Sequence, residues 1–556
     1  MEPIMVDAKS NEKLSVSEGN SEEMPAVECD QVLEYPTEKL AHNNNSTKLH
    51  RTFKARHIQM IGLGGCIGSG IFLSTGKALY YGNWTAMFIA WIVVCTMSTA
   101  TMQVMSEACV IFPTSGAFID HAARFVDPAL GFAVGFCEWL GWTTTMAAEG
   151  AVFRTILSFW TEEVPTAACM TIYLVVIFSI HLLPNRVFAE FEFVTAAIKV
   201  VMMVIIIIVC IAILCGAGPT GSTNWGVNFT ELPAFPNGFK GVAQAFLLAS
   251  WSAGGLEFIG ISNGEAKMPR WNLPRAVTNL VIRIFIFYMS SITFITLLVP
   301  YNDPRLFGAF SGEISASPFV IAMQDAGIKG LPSMINAITM LGLCAIGSEG
   351  VYLASRMSTA MARMGLFPQI LGRVDKQGRP YVSICASAVL AITFTYINIA
   401  NTGAVIFTWF SAISSTMSFI TYIVICITNW RMRKAFKLQN DNPLALQYAY
   451  KNKFYPMSSV FLFVTSIFIL CSTFYVSLFP IGKPTTAANF FETFICVPLF
   501  VVLYIGYKII YKTKIVDLRT VDIQRGRRPL SAEDIAFLDA YYAKPWYKRA
   551  LTYITF

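Results

Sequence analysis

Charge is what this sequence has least of. Only 13% of its 556 residues are Asp, Glu, Lys or Arg, which is about half of the roughly 25% found in an ordinary soluble domain. Hydrophobic residues make up 55% of the chain, and the mean hydropathy is +0.55. An apolar excess of this size must face lipid, so the composition excludes a conventional soluble protein.

Patterns that hold metals or join cysteines are also missing. The thirteen cysteines stand mostly singly in apolar runs, with no CxxC pair and no regular spacing, so neither a disulfide framework nor a zinc site is expected. The five histidines are scattered, and no nucleotide-binding motif withstands inspection. We therefore expect no enzyme chemistry, no cofactor, no metal and no nucleic-acid partner.

Long apolar runs, by contrast, are abundant. A run of about 20 apolar residues is long enough to cross a bilayer. Twelve membrane spans are predicted, at 58–80, 84–111, 130–158, 166–183, 191–216, 239–263, 278–300, 331–355, 381–400, 404–428, 458–480 and 488–511. We accordingly divide the chain into a disordered N-terminal tail at 1–50, a twelve-helix domain at 51–511 and a polar C-terminal tail at 512–556. No signal-peptide pattern begins the sequence.

The placement of the basic residues predicts the orientation of the chain. Lysine and arginine are concentrated in alternate connecting segments and in the parts of both tails nearest the spans: 48–56, 264–277, 356–380, 429–457 and 508–528. Such segments remain on the cytosolic side, so both termini are predicted to be cytosolic. The segment 217–238 then lies outside, and it contains the sequon Asn228-Phe-Thr230. Whether Asn228 is glycosylated stays open.

The stretch 62-GLGGCIGSGIF-72 places five glycines inside the first apolar span. Glycine in a helix interior costs roughly 1 kcal/mol relative to alanine, so the stretch needs an explanation. A phosphate-binding loop requires a preceding strand, which the apolar flanks argue against. Close helix packing, as in Gly64-x-x-x-Gly68, is an alternative. A helix broken at mid-membrane, whose free backbone groups bind substrate, is the third.

A second glycine break favours the third explanation. In the sixth span, 249-ASWSAGGLEFIGISNGE-265, the pair Gly254-Gly255 interrupts the apolar run, and Glu257 follows closely. The first and sixth spans lie five apart, as expected for two inverted repeats of five helices each. The two breaks are therefore predicted to form the two halves of one site.

Ionisable residues inside spans cost roughly 2.5–3.5 kcal/mol on insertion scales and are usually functional. Six acidic or basic residues of the spans are candidates: Glu107, Glu138, Glu149, Lys199, Glu257 and Glu349. Glu107 lies near a span boundary, which favours a structural hydrogen-bonding role. Glu138 and Glu149 are three helical turns apart and share one face. For these two, helix–helix hydrogen bonding and a role in the substrate pathway both stay open.

Lys199, Glu257 and Glu349 are the strongest candidates for moving protons or choosing substrate. Burial disfavours the charged form of a lone ammonium group, so Lys199 is predicted to take up and release a proton. The alternative is a fixed cation that binds carbonyl groups at a helix break. Glu257 is predicted to relay protons or to orient the broken backbone. Glu349 would favour a cationic substrate if it faces the pathway, and would otherwise pair with a neighbour.

Five motifs together give the chain a family resemblance. They are GGCIGSGIF, 106-SEACVIFPTSGAF-118, 189-AEFEFVTAAIKV-200, the Gly-Leu-Glu of span six with 264-GEAKMPRWNLPRA-276, and 352-YLASRMSTAMARMGLFPQIL-371. With these motifs the chain resembles the fungal amino-acid permeases of the amino acid–polyamine–organocation superfamily, over roughly residues 50–515. The resemblance implies an all-α membrane protein with a LeuT-like fold, built from five plus five helices and two C-terminal ones. It also implies proton-driven amino-acid uptake at the plasma membrane.

The resemblance also implies roles for individual residues. The carboxylate and ammonium groups of the substrate would be held by two sets of residues, one from each broken span: Gly64, Gly65, Gly68, Ser69 and Gly70, and Ser252, Gly254 and Gly255. Lys199 matches the fifth-helix lysine of the family, which is a proposed proton-coupling site.

The departures from the family pattern bear on substrate choice. Leu256 stands where the family usually has Thr, and both Glu138 and Glu349 are acids where the family has other residues. Extra acids in the pathway favour a cationic or quaternary-ammonium substrate, and we add Glu349 to the predicted binding residues. The Ala-Gly-Gly break also resembles the subgroup associated with carnitine and polyamines.

The sequence therefore predicts a multi-pass permease of the plasma membrane. It would take up an amino acid or small organic cation by alternating access, driven by the proton gradient, with Lys199 and Glu257 in proton coupling. A carnitine- or polyamine-type permease is the first alternative. A transporter-like nutrient sensor, disfavoured by the short tails, is the second, and a channel is the third. The cytosolic tails are expected to bind trafficking or ubiquitination machinery. Substrate, stoichiometry and oligomeric state stay open.

Overall fold

The computed structural model describes residues 57, 60, 68, 70–220, 225–265, 269–306, 317–400, 403–446, 448–482, 484–528 and 530–549. Among these residues the regular elements are helices, with no strand, so the prediction of an all-α chain is confirmed. The boundaries of the two predicted tails remain predictions.

Helices follow one another along the described chain, and the longest connection, 215–237, lies between α5 and α6. A π-helical turn at Gly70–Ser74 leads into the first long helix. The helices are α1 (Thr75–Ile111), α2 (Ala117–Phe125), α3 (Pro128–Leu157), α4 (Thr166–Ser179), α5 (Asn185–Leu214), α6 (Gly238–Ala253), α7 (Glu257–Asn263), α8 (Pro269–Leu298), α9 (Pro318–Asp325), α10 (Leu331–Arg363), α11 (Tyr381–Ala400), α12 (Gly403–Leu438), α13 (Met457–Leu478), α14 (Ala487–Phe494), α15 (Cys496–Tyr511) and α16 (Ala532–Tyr542).

Each predicted span has a helical counterpart, although the first is described only from Gly70 onward. By length and composition alone, five of the described helical segments can each cross a membrane, or six when the bent pair α14–α15 is taken as one span. One of the five, Gly70–Ile111, contains the second predicted span and the described end of the first. The exact number of twelve stays a prediction.

A kink at Asn83 separates the first predicted span from the second within α1. Asn83 has a φ of 55° and a ψ of −170°, a backbone conformation that residues other than glycine rarely adopt. Its side-chain oxygen accepts a hydrogen bond from the Trp84 amide at 2.7 Å, and its Nδ2 donates to the Pro233 carbonyl at 2.9 Å. The buried side chain therefore stabilises the kink and fixes it to the segment before α6.

The sixth span is broken at the glycine pair. Helix α6 ends at Ala253 and α7 begins at Glu257. Gly254 is extended, with φ −70° and ψ 178°, and Gly255 has a φ of +84°, which glycine adopts without steric cost. The Tyr288 hydroxyl of α8 donates a hydrogen bond to the Ser252 carbonyl. A neighbouring helix thus satisfies part of the backbone that the break frees.

The bundle has two opposite faces, which carry different connections. With the predicted topology, the inner face carries the connections 264–277 and 356–380, and the outer face carries 217–238 and 481–487. Between these faces, apolar side chains remain exposed on several helices, for example Val201 and Ile208 on α5 and Val502 and Ile509 on α15. Exposed apolar side chains of this kind are suited to lipid.

The C-terminal segment packs against the predicted inner face. Helix α16 begins with a capping box between Ser531 and Asp534. The guanidinium of Arg275 on α8 lies 3.3 Å from the ring centroid of Trp271 and 4.5 Å from that of Tyr541 on α16. Stacking of this kind is favourable by about 0.5–2 kcal/mol, so α16 is attached to α8.

Candidate functional site

The first and sixth spans touch each other through their backbones. A Cβ added to Gly70 would lie 2.4 Å from the Ser252 Cα and 3.0 Å from the Ser252 Oγ. No side chain larger than glycine fits there without a shift of the α6 backbone. Close packing through small residues and a broken helix are therefore both features of this region, and they do not exclude each other.

A cavity of about 490 Å³, part of it open to solvent, adjoins this contact; we call it the central cavity. Five of the predicted binding residues line it: Gly68, Gly70, Ser252, Gly254 and Gly255. The extended backbone at Gly254 takes the end of α6 out of the regular helical hydrogen-bond ladder. Backbone groups at such a break are available to a charged substrate.

Helices α3 and α12 complete the central cavity with residues that the site prediction did not include. They are Trp142, Thr145 and Glu149 of α3, and Ser414, Ser415 and Ser418 of α12. The Thr145 hydroxyl lies 2.8 Å from the Gly141 carbonyl and 3.2 Å from the Ser414 hydroxyl. The cavity is therefore edged by hydroxyl groups on one side and by the broken backbone on the other.

Glu149 is the one charged side chain among the described residues that line the central cavity. It is 1% exposed. Glu138, which shares its face of α3, accepts a hydrogen bond from the Thr421 hydroxyl of α12 and is not among the lining residues. Glu138 thus makes a hydrogen bond between helices, while Glu149 lies at the cavity wall.

Two tryptophan side chains, Trp142 and Trp251, also line the central cavity. A Cβ on Gly255 would lie 3.4 Å from the Cη2 atom of Trp142, so this indole packs directly against the break. Trp251, one residue before Ser252, also lines the central cavity. The described wall of the central cavity therefore contains two indoles and one carboxyl side chain.

The structure does not bring Glu349 to the central cavity. Glu349 lies on α10, 2% exposed, and interacts electrostatically with Glu192 and Lys199 of α5, which are 0% and 1% exposed. A Cβ on Gly342 would lie 3.3 Å from the Lys199 Cδ, so Gly342 makes room for the lysine stem. Glu192 was not among the predicted site residues, although it belongs to the motif that contains Lys199.

These residues form part of a regular seam between α5 and α10. Phe188 stacks on Tyr352 with ring centroids 5.0 Å apart, and the Nη2 of Arg356 donates to the Asn185 side-chain oxygen at 3.0 Å. Residue numbers rise along α5 while they fall along α10, so the two helices run antiparallel in register. We call this the α5–α10 seam; it leads from Lys199 to Arg356.

A buried ion pair lies at the predicted inner end of the seam. The Nε of Arg356 is 3.1 Å from the Glu265 Oε1, and the side chains are 1% and 0% exposed. The guanidinium also lies 4.1 Å from the ring centroid of Tyr352. The pair joins the segment after α7 to α10.

Some predicted site residues fall in parts of the chain that the structure does not describe in full. Gly64, Gly65 and Ser69 lie outside the described residues. Glu257 is the first residue of α7, but its side chain also lies outside the described part. The structure therefore gives no geometry for the substrate contact predicted at Gly64, Gly65 and Ser69, or for the proton relay predicted at Glu257.

Glu107 and Asn228, two further residues considered in the sequence, are held by hydrogen bonds within the fold. Glu107 accepts hydrogen bonds from Arg433 and Asn429, each at 2.9 Å, which agrees with the structural role favoured for it. Asn228 is 1% exposed, and its amide donates to the carbonyls of Thr296 at 2.8 Å and Val299 at 2.6 Å. A glycan on this amide would displace those contacts, so the fold disfavours glycosylation of the sequon.

Comparison with known proteins gives the family. Residues 57–520 match the model of the amino acid permease family. General amino-acid permease GAP1 of Saccharomyces cerevisiae is 35% identical over 526 residues, which are 92% of this chain and 87% of that protein. Amino-acid permease GAP5 of Candida albicans is 35% identical over 494 residues, 88% of this chain and 79% of that protein.

Among solved structures, a manganese transporter of Eremococcus coleocola matches with a TM-score of 0.49 and 12% identity, over 84% of this chain and 98% of that chain. The family match covers most of the chain and agrees with the resemblance seen in the motifs. The chain therefore belongs to the amino acid permease family, and it is a multi-pass membrane transporter of amino acids rather than an enzyme.

Proposed function

We propose that this permease takes up amino acids with a cationic side chain across the plasma membrane, coupled to protons, by alternating access to the central cavity. The observation that carries the proposal is the juxtaposition of Glu149 with the Gly254–Gly255 break in one cavity. The broken backbone suits the charged head group that every amino acid shares. Glu149 then remains for a second positive charge on the substrate.

The cationic preference rests on the cavity wall. A carboxylate that is 1% exposed is stabilised by an opposite charge brought next to it. The indoles of Trp142 and Trp251 provide further attraction for a cation. The same wall also suits a quaternary ammonium group, which supports a carnitine-type substrate as the second candidate. In both cases the selecting acid is Glu149, and not Glu349 as the sequence predicted.

Alternating access is supported by the difference between the two faces. The Arg356–Glu265 pair closes the predicted inner face, while a larger cavity adjoins the central one toward the predicted outer face. This arrangement is that of a transporter ready to receive substrate from outside. To release the substrate into the cytosol, the inner pair separates and the outer cavity closes.

Proton coupling is assigned to Lys199. Its charged surroundings are Glu192 on the same helix and Glu349 on α10. Farther along the α5–α10 seam lie Tyr352 and Arg356, and the His181 Nε2 is 2.9 Å from the carbonyl of Ser348, the neighbour of Glu349. Two carboxyl groups beside one amine can share a proton in more than one arrangement. Glu192 and Glu349 are thus the acceptors for a proton that Lys199 releases.

Uptake assays test this proposal directly. Labelled lysine, arginine, leucine and carnitine are supplied at external pH 5 and pH 7 to cells that lack their own amino-acid permeases. We expect lysine or arginine to accumulate above the external concentration, and faster at pH 5. Lys199→Met should abolish this accumulation. Uptake that ignores external pH, or a Lys199→Met variant that still concentrates substrate in response to pH, would contradict proton coupling through Lys199.

A further inference from the structure

An open cavity of about 640 Å³, much of it in contact with solvent, lies at the predicted inner face, where the chain leaves the last span; we call it the basic cavity. One wall is the end of α12, with Arg431, Lys434 and Leu438, and the other is the segment 515–519. None of these residues lines the central cavity. The chemistry of the basic cavity is therefore separate from that of substrate binding.

Contacts with the ends of α2 and α12 fix the second wall of the basic cavity. The Val516 amide donates a hydrogen bond to the Val126 carbonyl at 2.9 Å. The Gln439 Nε2 donates to the carbonyls of Leu518 at 3.0 Å and Val521 at 2.8 Å. The side chains of Leu518 and Val521 are buried in an apolar cluster with residues of α12. The fold therefore holds the two walls of the cavity together.

Positive charge dominates the basic cavity. Arg431, Lys434 and Arg519 are its three basic residues, and Asp517 is the one acidic residue among those that line it. The Arg431 Nε donates to the Phe125 carbonyl at 2.6 Å, and the Asp517 carboxylate accepts from the Arg519 backbone amide at 3.0 Å. In the part of the chain that the structure describes, neither Lys434 nor Arg519 has a carboxylate partner for its charged group. Two cationic groups therefore remain for an anionic ligand.

Exposed apolar side chains border the same basic residues. Helix α15, the part of the last span after its 69° elbow with α14, ends at Tyr511, and the preceding Ile509 and Ile510 are 70% and 73% exposed. Ile515 and Leu438, which line the basic cavity, are exposed as well. The cavity thus lies where a lipid-facing helix surface ends and basic side chains begin, which is the level of phospholipid head groups.

An anionic phospholipid matches both properties of this cavity. Its phosphate accepts charge-assisted hydrogen bonds from ammonium and guanidinium groups, and its acyl chains extend along apolar surface. A free phosphate ion would use the two cationic groups but would leave Ile515 and Leu438 without an apolar neighbour. The combination of charge and exposed apolar surface therefore favours a lipid over a soluble anion.

We propose that the basic cavity binds the head group of an anionic phospholipid, with the phosphate between Lys434 and Arg519 and the acyl chains beside Ile515 and α15. The bound lipid joins the end of α12 to the end of the last span and stabilises their packing. Arg431 is a positioning residue, because its guanidinium holds the backbone at the end of α2. The proposal depends neither on which amino acid is transported nor on proton coupling.

Thermal unfolding of the purified full-length protein in detergent tests the proposal. The added probes are dioctanoyl phosphatidylserine, dioctanoyl phosphatidylcholine and inorganic phosphate. A ligand of the folded state raises the Tm as its concentration increases, so we expect a saturable rise with phosphatidylserine and none with the other two at equal concentration. The double variant Lys434→Gln, Arg519→Gln should need about thirtyfold more phosphatidylserine for half of the rise, because each basic residue near an anionic head group contributes about fivefold to binding. Both side chains are exposed, so this variant keeps the fold.

The double variant Lys451→Gln, Lys453→Gln is the matched control. It also removes two exposed positive charges from the predicted inner face, but neither lysine lines the basic cavity, so it should respond to phosphatidylserine as the wild type does. Four results would each overturn the proposal. They are equal rises with phosphatidylserine and phosphatidylcholine, a rise with inorganic phosphate as large as that with phosphatidylserine, a full response in Lys434→Gln, Arg519→Gln, and an equal loss in the control. None of these results bears on substrate choice or pH dependence, so this proposal and the proposed function fail separately.

Discussion

At the scale of single residues, Glu149 and Glu138 offer a direct comparison. They lie on one face of α3, but only Glu149 lines the central cavity, while Glu138 is hydrogen-bonded to Thr421. Glu149→Gln removes the charge that we assign to the cationic side chain. We expect the KM for lysine to rise about tenfold, because a charge-assisted contact contributes about 1.5–3 kcal/mol, and the KM for leucine to change little.

Glu138→Gln is the control for this prediction, because it makes the same change on the same helix away from the cavity. It should leave the ratio of the lysine and leucine KM values unchanged. If Glu149→Gln affected lysine and leucine equally, or if Glu138→Gln produced the selective loss, the assignment of Glu149 would be wrong. Competition assays in cells that lack their own amino-acid permeases measure both variants.

The sequence indicated which residues are buried and charged, but not what each one faces. Glu349 and Glu149 both looked like acids of the substrate pathway. The difference lies in helix packing, since α10 turns Glu349 toward Lys199 while α3 presents Glu149 to the cavity. A single sequence carries no signal for the rotation of a buried helix whose every face is apolar, as these helices nearly are.

At the scale of elements, the break in the sixth span depends on the left-handed conformation of Gly255. Gly255→Ala at φ +84° costs about 1–2 kcal/mol of strain and would shift the break that packs against Trp142. We therefore expect the thermal stability to fall and lysine affinity to fall at least several-fold. Thermal unfolding and equilibrium binding on the purified protein measure the two effects.

The Gly365→Ala variant is the control, because it introduces a similar backbone strain at a glycine that is not part of the site. Gly365 has a φ of +75° with nothing within 4 Å of an added Cβ, and it lies in the connection after α10 and does not line the central cavity. This variant should lose comparable stability and keep its affinity. Equal losses of affinity in both glycine variants would show that the break has no special part in binding.

Breaks in helices were the easiest feature to predict from the sequence, because glycine and proline change the backbone conformation at their own positions. The Gly254–Gly255 pair marked the sixth-span break, and Pro498 gives a local reason for the α14–α15 elbow, although that elbow was not among the predicted breaks. The kink at Asn83 was harder to foresee, since it depends on the distant carbonyl of Pro233. Lining residues from α3 and α12 could not be predicted, because they come from long-range packing.

At the scale of the whole molecule, the Arg356–Glu265 pair is expected to control the closed inner face. Arg356→Gln alone leaves Glu265 as a buried charge without its ion-pair partner, which typically costs about 3–5 kcal/mol. The double variant Arg356→Gln, Glu265→Gln removes both charges, so we expect it to be more stable than the single variant. Thermal unfolding in detergent compares them, and a double variant no more stable than Arg356→Gln would contradict this account of the pair.

The central claim is that substrate binds in the central cavity and reaches it from outside. Ser414 is half-buried and lines that cavity, so Ser414→Cys places a thiol there, and the wild-type protein shows the background from native cysteines. The measurement is the rate at which a membrane-impermeant thiol reagent, added outside intact cells, blocks lysine uptake by this variant. We predict that the reagent blocks uptake and that external lysine slows the reaction in proportion to its occupancy. Modification that lysine does not slow, or that leaves uptake intact, would contradict the claim.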